Sequence, residues 1–540
     1  MVELSVHVDD LIKGDSLPDL PPFPARLAEH AAVDRNSLTL FVTKEKRSDH
    51  LLLTWLAQVN EILGPQKRFC VQVLQIDEIA QIRNRGARLN GQGEQKSGDT
   101  RIMQSALELV RRGAEIGASD IHLLMRGTHA EAQVRVKGGL LVLERMAHDD
   151  GEALSRAIFQ GIATVKDSSY NPLEFQNAQI SGGDMSRIGL TSVRLVRGPA
   201  FPIDDGGGFV VMRLQYMEGG HGRKDRTRLD HPRSPQGELN LKRMGYTDWQ
   251  VDQLKYLARC PNGIILFTGP TGSGKTTGLN DMMKHIARER PDSRLVTIED
   301  PVEYPMPWAV QLVVTNASDA ASTAQAFTER LRTALRMDPD IILMGEIRDA
   351  DSAIVAIDAA LTGHQVWGTL HVTDPFKTIG RLELMDNVRL ARGVVCDYTT
   401  LRGIVAQRLV PTLCPHCSVP LRGHESGLPK TMIDALATYG SLDDPDSLSR
   451  VKLRGDGCDE CSGDAISGRT AVAEVVVTDA RLMKDFIEHG VETARRNHRL
   501  RDDTDNSMVT NAVALVLEGK VDPRDVENNI DIIVPQGKEG

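Results

Sequence analysis

Gly269-Pro270-Thr271-Gly272-Ser273-Gly274-Lys275-Thr276-Thr277 is the stretch on which the fold turns. Its first eight residues satisfy G-x-x-x-x-G-K-S/T at every position. The apolar run Ile264-Ile265-Leu266-Phe267 enters it, and Leu279, Met282, Met283 and Ile286 follow at the i, i+3, i+4, i+7 spacing of one helix face. A strand, a glycine-rich turn and a helix in that order surround a phosphate with backbone N–H groups and the positive end of the helix. Lys275 is then expected to reach the β- and γ-phosphates of a nucleotide, and Thr276 to hold Mg²⁺.

Outward from the loop, the chain alternates buried β runs with helical patterns. Gly263 to Thr268, Arg294 to Ile298 and Ile341 to Met344 read as strands, and Lys275 to Arg288 as a helix. Such alternation predicts an α/β fold with a parallel sheet between helices. The carboxyl ends of parallel strands converge on the ligand crevice. Two acidic clusters fall there: Thr297-Ile-Glu299-Asp300-Pro-Val-Glu303, and Ile341-Ile-Leu-Met-Gly-Glu346-Ile-Arg348-Asp349. A carboxylate that orients water and another that supports the metal are what hydrolysis adds to a phosphate loop. Asp300 and Asp349 serve equally well as helix caps or turn residues. His364 and His371 flank a further apolar segment expected to end near the same edge, where each is either structural or a sensor of the γ-phosphate.

The bulk numbers bound the class. At 540 residues the chain has room for several domains, and its 41% hydrophobic and 26% charged residues are ordinary for a soluble protein. A net charge of −10 argues against a protein that coats nucleic acid. No run approaches the roughly 20 apolar residues of a membrane span, and Met1 to Leu20 lacks a signal peptide's basic start, so a cytoplasmic location is expected. Residues 1–98 form an N-terminal domain and linker without a usable motif. Residues 99–217 read as an α+β domain, opened by a helix carrying Ile102, Ala106, Leu109, Val110 and Ile116. A charged, Gly/Pro-bearing linker follows at 218–238, and its basic part, Gly222 to Arg233, reads most simply as solvated. The α/β core takes 239–411, a cysteine-bearing segment 412–475, and a helical region 476–540.

Cys414-Pro-His-Cys417 and Cys458-Asp-Glu-Cys461 are two C-x-x-C turns. Each presents two thiolates on one side of an ion, so the pair closes a tetrahedral site and predicts structural Zn²⁺, with His416 outside it. A redox dithiol is the rival, but one turn would suffice for it. Cys70, Cys260 and Cys396 read as lone thiols.

Four segments, GPTGSGKTT (269–277), TIEDPVEY (297–304), DPDIILMGEIRDADSA (338–353) and LTGHQVWGTLHVTD (361–374), together resemble the type II secretion and type IV pilus assembly (extension) ATPases. They correspond in order to that family's Walker A, aspartate box, Walker B and histidine box, and GASDIHL (117–123) resembles the opening of its middle domain. The likeness covers roughly residues 100 to 500. It implies a RecA-like P-loop ATPase core, preceded by an α+β, PAS-like domain and carrying a tetracysteine zinc insertion. It also implies ATP, Mg²⁺ and Zn²⁺ as cofactors, and a homohexamer in which arginines of neighbouring domains or subunits contact nucleotide. Arg194 in SVRLV and Arg213 in VVMRL match the middle-domain arginines, and Arg332 and Arg336 match a pair ahead of Walker B. Glu303 is the favoured water-positioning carboxylate, with Glu299 second, and Glu346 supports Mg²⁺ through water.

The resemblance thus implies a hexameric motor that powers pilus assembly or type II-like secretion from the cytoplasmic face of the inner membrane. Residues 1–98 would dock it onto an inner-membrane platform protein or a cytoplasmic adaptor, with no nucleic acid as partner. The tetracysteine insertion tilts the expectation towards assembly, and the short N-terminal segment hints at a type IVb or conjugative-element pilus. The alternatives are a ring ATPase that translocates DNA in conjugation, and a non-catalytic scaffold.

Overall fold

The computed structural model describes residues 20–217 (apart from 22, 25–26, 28–29, 35–37, 64–67, 75–78 and 80–94), 229–314, 320–440 and 447–536. They fall into two compact units. The first runs to Arg233 and adds Pro305–Val313 and Arg336–Asp338, and the second takes Ser234–Tyr304, Val314–Leu335 and the chain from Pro339.

The first unit opens with a small α/β layer. Strands β1 (Ala31–Asp34), β2 (Thr39–Val42) and β3 (Cys70–Val73) stand in the order β1-β2-β3, with β1 antiparallel and β3 parallel to β2. Helix α1 (His50–Leu63) supplies Leu52, Trp55 and Val59 to a core shared with Leu40 and Val42. The buried Trp55 indole donates to the Pro21 carbonyl at 3.1 Å, so its polar atom stays satisfied.

Helix α2 (Gln95–Glu115) follows, then strands β4 (Asp120–Met125), β5 (His129–Val136) and β6 (Gly139–Ala147), and helix α3 (His148–Arg156). Strands β7 (Val165–Lys166), β8 (Gln176–Ser181), β9 (Leu190–Pro199) and β10 (Gly208–Tyr216) complete an antiparallel sheet in the order β6-β5-β4-β10-β9-β8-β7. Ala106, Leu109 and Val110 of α2 join Ile121, Val134, Val193 and Met212 of the sheet in one core. At Gly113 a Cβ would stand 2.4 Å from Ile121 Cδ1, so α2 lies close on β4. The helix begins at Gln95, inside the domain-and-linker region expected over 1–98. A helix end needs backbone hydrogen bonds rather than apolar side chains, and polar composition hides it. Of the second expected linker, 218–228 lies outside the described residues, and Asp230 adds a bridge to Val142 of β6.

In the second unit, strands β11 (Gly263–Thr268), β12 (Leu295–Glu299), β14 (Ile341–Met344), β15 (Gln365–Leu370), β16 (Leu401–Leu413) and β19 (Ile466–Val477) stand in the order β12-β14-β15-β11-β16-β19. Strand β13 (Val310–Val313) clusters with the first unit, and β17 (Val419–Pro420) and β18 (Lys452–Leu453) pair within the cysteine segment. From β12 to β16 every pairing is parallel, as the alternation predicts. The edge strand β19 is antiparallel to β16. The chain leaves the sheet at Leu413, makes the cysteine excursion and returns beside the strand it left, which is a long hairpin and therefore antiparallel.

Helix α4 (Leu241–Met244) and helix α5 (Asp248–Arg259) precede β11, and the latter starts on a Thr247/Gln250 capping box. Helix α6 (Lys275–Glu289) leaves the loop, α7 (Ala320–Ala334) precedes β14, and α8 (Ala350–Leu361) joins β14 to β15. Helices α9 (Ala480–Arg499, broken at Gly490) and α10 (Met508–Leu517) follow β19. His498 at the end of α9 is buried against the Phe376 ring at 5.5 Å. Burial, with Arg501 beside it, pushes its pKa down to about 4. Below the unfolded value of about 6.5 the unfolded chain takes up a proton that the folded chain refuses. Stability therefore falls as pH drops from 6.5 towards 4, by at most about 1.4 kcal/mol per pH unit from this group. Thermal unfolding at pH 7 and pH 5 should show a smaller drop for His498→Phe than for the wild type; equal drops would refute the assignment.

Candidate nucleotide site and metal centre

The phosphate loop is shaped by its glycines. Gly269 has φ +146°, and a Cβ there would lie 2.4 Å from the Gln407 carbonyl oxygen. Gly274, at the N-cap of α6, has φ +82°, a left-handed conformation that costs glycine nothing. The chain thereby turns from the end of β11 into α6 with the helix N-terminus open towards the loop. Lys275 is 7% exposed and donates to the carbonyls of Gly269 and Pro270, each at 2.9 Å. Burial pushes its ammonium pKa down, the carboxylates of Glu346 and Glu303 pull it up, and Arg408 pushes it down further. The lysine thus lies in the field of two of the acidic residues expected from the sequence.

Those residues stand where the strands end. Glu346 is two residues past β14, and His371 is one past β15, the adjacent parallel strand. His371 Nε2 lies 3.4 Å from Glu346 Oε1, while Arg348 Nε donates to Oε2 at 2.7 Å. Arg348 also lies 3.5 Å from Asp300, linking the ends of β12 and β14. The sequence showed Arg348 without a role; its place two residues after a strand-end glutamate was the available signal. Glu299, the last residue of β12, is buried and accepts the Thr297 hydroxyl at 2.5 Å. Glu303 is exposed on the following segment. Thr277 and Tyr304 share a hydroxyl contact at 3.0 Å. Asp349 resolves as a cap: it begins α8 and accepts the Ser352 amide at 2.8 Å.

His364 is not brought to this edge. It precedes β15, a full strand away from His371, roughly 20 Å at about 3.3 Å per residue. Its Nδ1 instead sits 2.9 Å from the Ala359 carbonyl, closing the end of α8. The expectation that both histidines end near the phosphate edge is corrected on this point: residues flanking one strand stand at its opposite ends.

Arg332 lies exposed on α7, in the same unit as the loop. Arg194, Arg213 and Arg336 belong to the first unit. Arg194 and Arg213 are direct partners across the β9–β10 ladder and both are exposed, so they share one face. Arg213 is held by Asp120 at 2.9 Å and Asp338 at 3.2 Å, and Arg336 reaches Asn177 at 3.4 Å. The long connection between the two strands is a hairpin loop, and their register is regular from Gly208–Pro199 through Gln215–Ser192 before a bulge at Tyr216.

The four expected cysteine ligands meet at one point, with all Sγ atoms within 4.8 Å of one another. Cys414–Cys458, Cys417–Cys461 and Cys458–Cys461 stand 3.8, 3.7 and 3.7 Å apart. Four sulfurs each about 2.3 Å from a tetrahedral zinc would stand roughly 3.8 Å apart. A disulfide would need about 2.05 Å. Amides of Cys458 and Ala465 donate to Cys461 Sγ, each at 3.2 Å, as suits a thiolate. His416 is exposed and outside the cluster. The donors fit zinc. At the loop, a threonine hydroxyl and carboxylates are the hard oxygen donors that suit Mg²⁺.

A family model described as "Type II/IV secretion system protein" matches residues 209–528. The chain belongs to that family. Among curated members, the Type II secretion system protein HxcR of Pseudomonas aeruginosa is 31% identical over 394 residues, covering 73% of this chain and 69% of that protein. The Type IV pilus assembly ATPase PilB of Thermus thermophilus is 29% identical over 399 residues, covering 73% of this chain and 39% of that protein. The chain therefore spans about two thirds of one secretion relative and well under half of the pilus relative. A crystal structure of the pilus retraction motor PilT with bound ADP aligns with 80% of this chain and 98% of its own, at 22% identity and a TM-score of 0.39. As a member of the type II/IV secretion family, the chain is an ATPase of the secretion and pilus-assembly kind. Among its described residues no helix is long and apolar enough to cross a membrane.

Proposed function

We propose that this chain hydrolyses ATP as one subunit of a homohexamer that powers type IV pilus assembly or type II-like secretion from the cytoplasmic face of the inner membrane. The observation that carries the reading is Lys275, set in a preformed phosphate loop and in the field of Glu303 and Glu346. The loop from Gly269 to Thr277 binds the phosphates, with Lys275 neutralising the β- and γ-oxygens. Thr276, and Glu346 through water, would hold Mg²⁺, which supplies charge neutralisation when bound. Glu303 orients the attacking water: it is exposed and acts on Lys275, whereas Glu299 is buried and engaged by Thr297. His371 steadies Glu346, and His364 has no part in the reaction. Arg194, Arg213, Arg332 and Arg336 supply the permanent positive charge that neighbouring domains and subunits bring to the γ-phosphate. Zn²⁺ in the four-cysteine site is structural, and residues 1–98 dock onto a platform protein or an adaptor.

The test is turnover and assembly state together. The purified chain should hydrolyse ATP, and mass photometry with a slowly hydrolysed analogue should show six-chain particles. Glu303→Gln should lower kcat by roughly a hundredfold while nucleotide binding persists. A monomer without turnover would refute the motor. Turnover stimulated by DNA in a salt-sensitive manner would instead favour a conjugative translocase.

A further inference from the structure

Two buried polar side chains that meet beneath the phosphate loop have no part in the chemistry assigned above. Gln407 lies on β16 and is fully buried, and its Nε2 donates to the Ser273 carbonyl at 2.8 Å. Its Oε1 accepts the hydroxyl of Tyr246, which is 4% exposed. We propose that Gln407 and Tyr246 are positioning residues that preset the phosphate loop for nucleotide. The inference rests on the nucleotide reading of that loop.

In a trans peptide the carbonyl and the following N–H point in opposite directions. Tying the Ser273 carbonyl back to Gln407 therefore turns the Gly274 N–H away from Gln407 and keeps a carbonyl dipole from facing the phosphates. That is the arrangement an anion-binding loop requires. The glutamine amide must present its NH₂ to the loop and its oxygen to Tyr246, and the phenol enforces this by donating. Burial pushes the phenol pKa up, so the hydroxyl stays a donor.

The pair packs close under the loop. A Cβ at Gly274 would stand 2.7 Å from Gln407 Nε2, and one at Gly278 would stand 3.3 Å from its Oε1 and 3.5 Å from the Tyr246 oxygen. The base is fixed in turn. Gly245 has φ +119° and its Cβ position lies 2.3 Å from the Ala471 carbonyl of β19, so the segment before Tyr246 sits directly on that strand. Gln250 of α5 donates to the Ala473 carbonyl at 2.9 Å. The loop is thus braced from the β16–β19 hairpin. Preorganised donors cost no reorganisation when charge arrives, so the brace should appear in nucleotide affinity and in kcat.

The experiment measures ATP affinity with a fluorescent ATP analogue, along with kcat, KM and Tm, in the full chain. The variants are Tyr246→Phe, Gln407→Leu and the double replacement. Each single variant is expected to weaken affinity about three- to tenfold, the worth of one hydrogen bond. The effect of Tyr246→Phe should vanish in the Gln407→Leu background, because the phenol acts through the glutamine. Should Gln407→Leu fail to fold, Tyr246→Phe alone decides, since it removes one oxygen. A lowered Tm with unchanged affinity, or fully additive losses, would overturn the proposal. A wild-type chain that bound no ATP would overturn the nucleotide reading instead, and the two failures are thereby distinct.

Discussion

Lys275→Ala should lower kcat for ATP by roughly a thousandfold or more, because it removes the preorganised cation nearest the transferred phosphoryl group. The fold should survive. The ammonium group sits on two loop carbonyls, Gly269 and Pro270, and burial already disfavours its charge, so alanine removes an expensive group from the loop's own structure. The decisive comparison is therefore made twice. Without nucleotide, variant and wild type should unfold within a few degrees of each other. With saturating ATP and Mg²⁺, the wild type should gain about 3 kcal/mol at a hundred times Kd, and the variant little. Retained turnover in the variant would end the ATPase assignment of this site. A large loss of stability without ligand would show that the lysine is a structural member of the loop.

Removing zinc should have the second largest effect. Structural zinc sites contribute on the order of 10 kcal/mol to small domains, since metal affinity is folding free energy there. Elemental analysis should return one zinc per chain. Prolonged chelation, or Cys461→Ser, should melt the segment around Cys414–Cys461 and lower the main unfolding midpoint. Cys70 or Cys396 replaced by serine should leave the zinc content unchanged. A chain without zinc whose midpoint ignores chelators but responds to reductant would make the four cysteines two dithiols.

The readable parts of this protein were the contiguous ones. Nine residues from Gly269 to Thr277 carry their own backbone geometry, and short apolar runs alternating with helical patterns, such as Ile341–Met344, read as strands buried on both faces. The cysteines were legible because C-x-x-C geometry is also local. What depended on long-range pairing was hidden. Tyr246 and Gln407 are 161 positions apart and neither has a local signature. The antiparallel course of β19 followed from the chain returning beside β16, which composition does not encode. His364 could have been set aside from sequence alone, since it and His371 bracket a six-residue strand and must stand at its opposite ends. Arg194 and Arg213 gained their common face only from the β9–β10 register.

The cysteine excursion leaves the sheet at Leu413 and returns at Ile466, two residues that face each other across the β16–β19 ladder. A short turn could join them, which makes the segment look detachable. Its apolar residues say otherwise: Leu421, Leu428, Met432 and Leu436 share a core with Met508, Val513 and Val516 of α10, and with Val526 and Ile533 beyond it. Excising the segment would strip the last helices of their cover and expose an aggregation-prone apolar surface. Excursion and carboxyl-terminal helices therefore share one core, and a shortened descendant of this protein would have to discard or redesign both together.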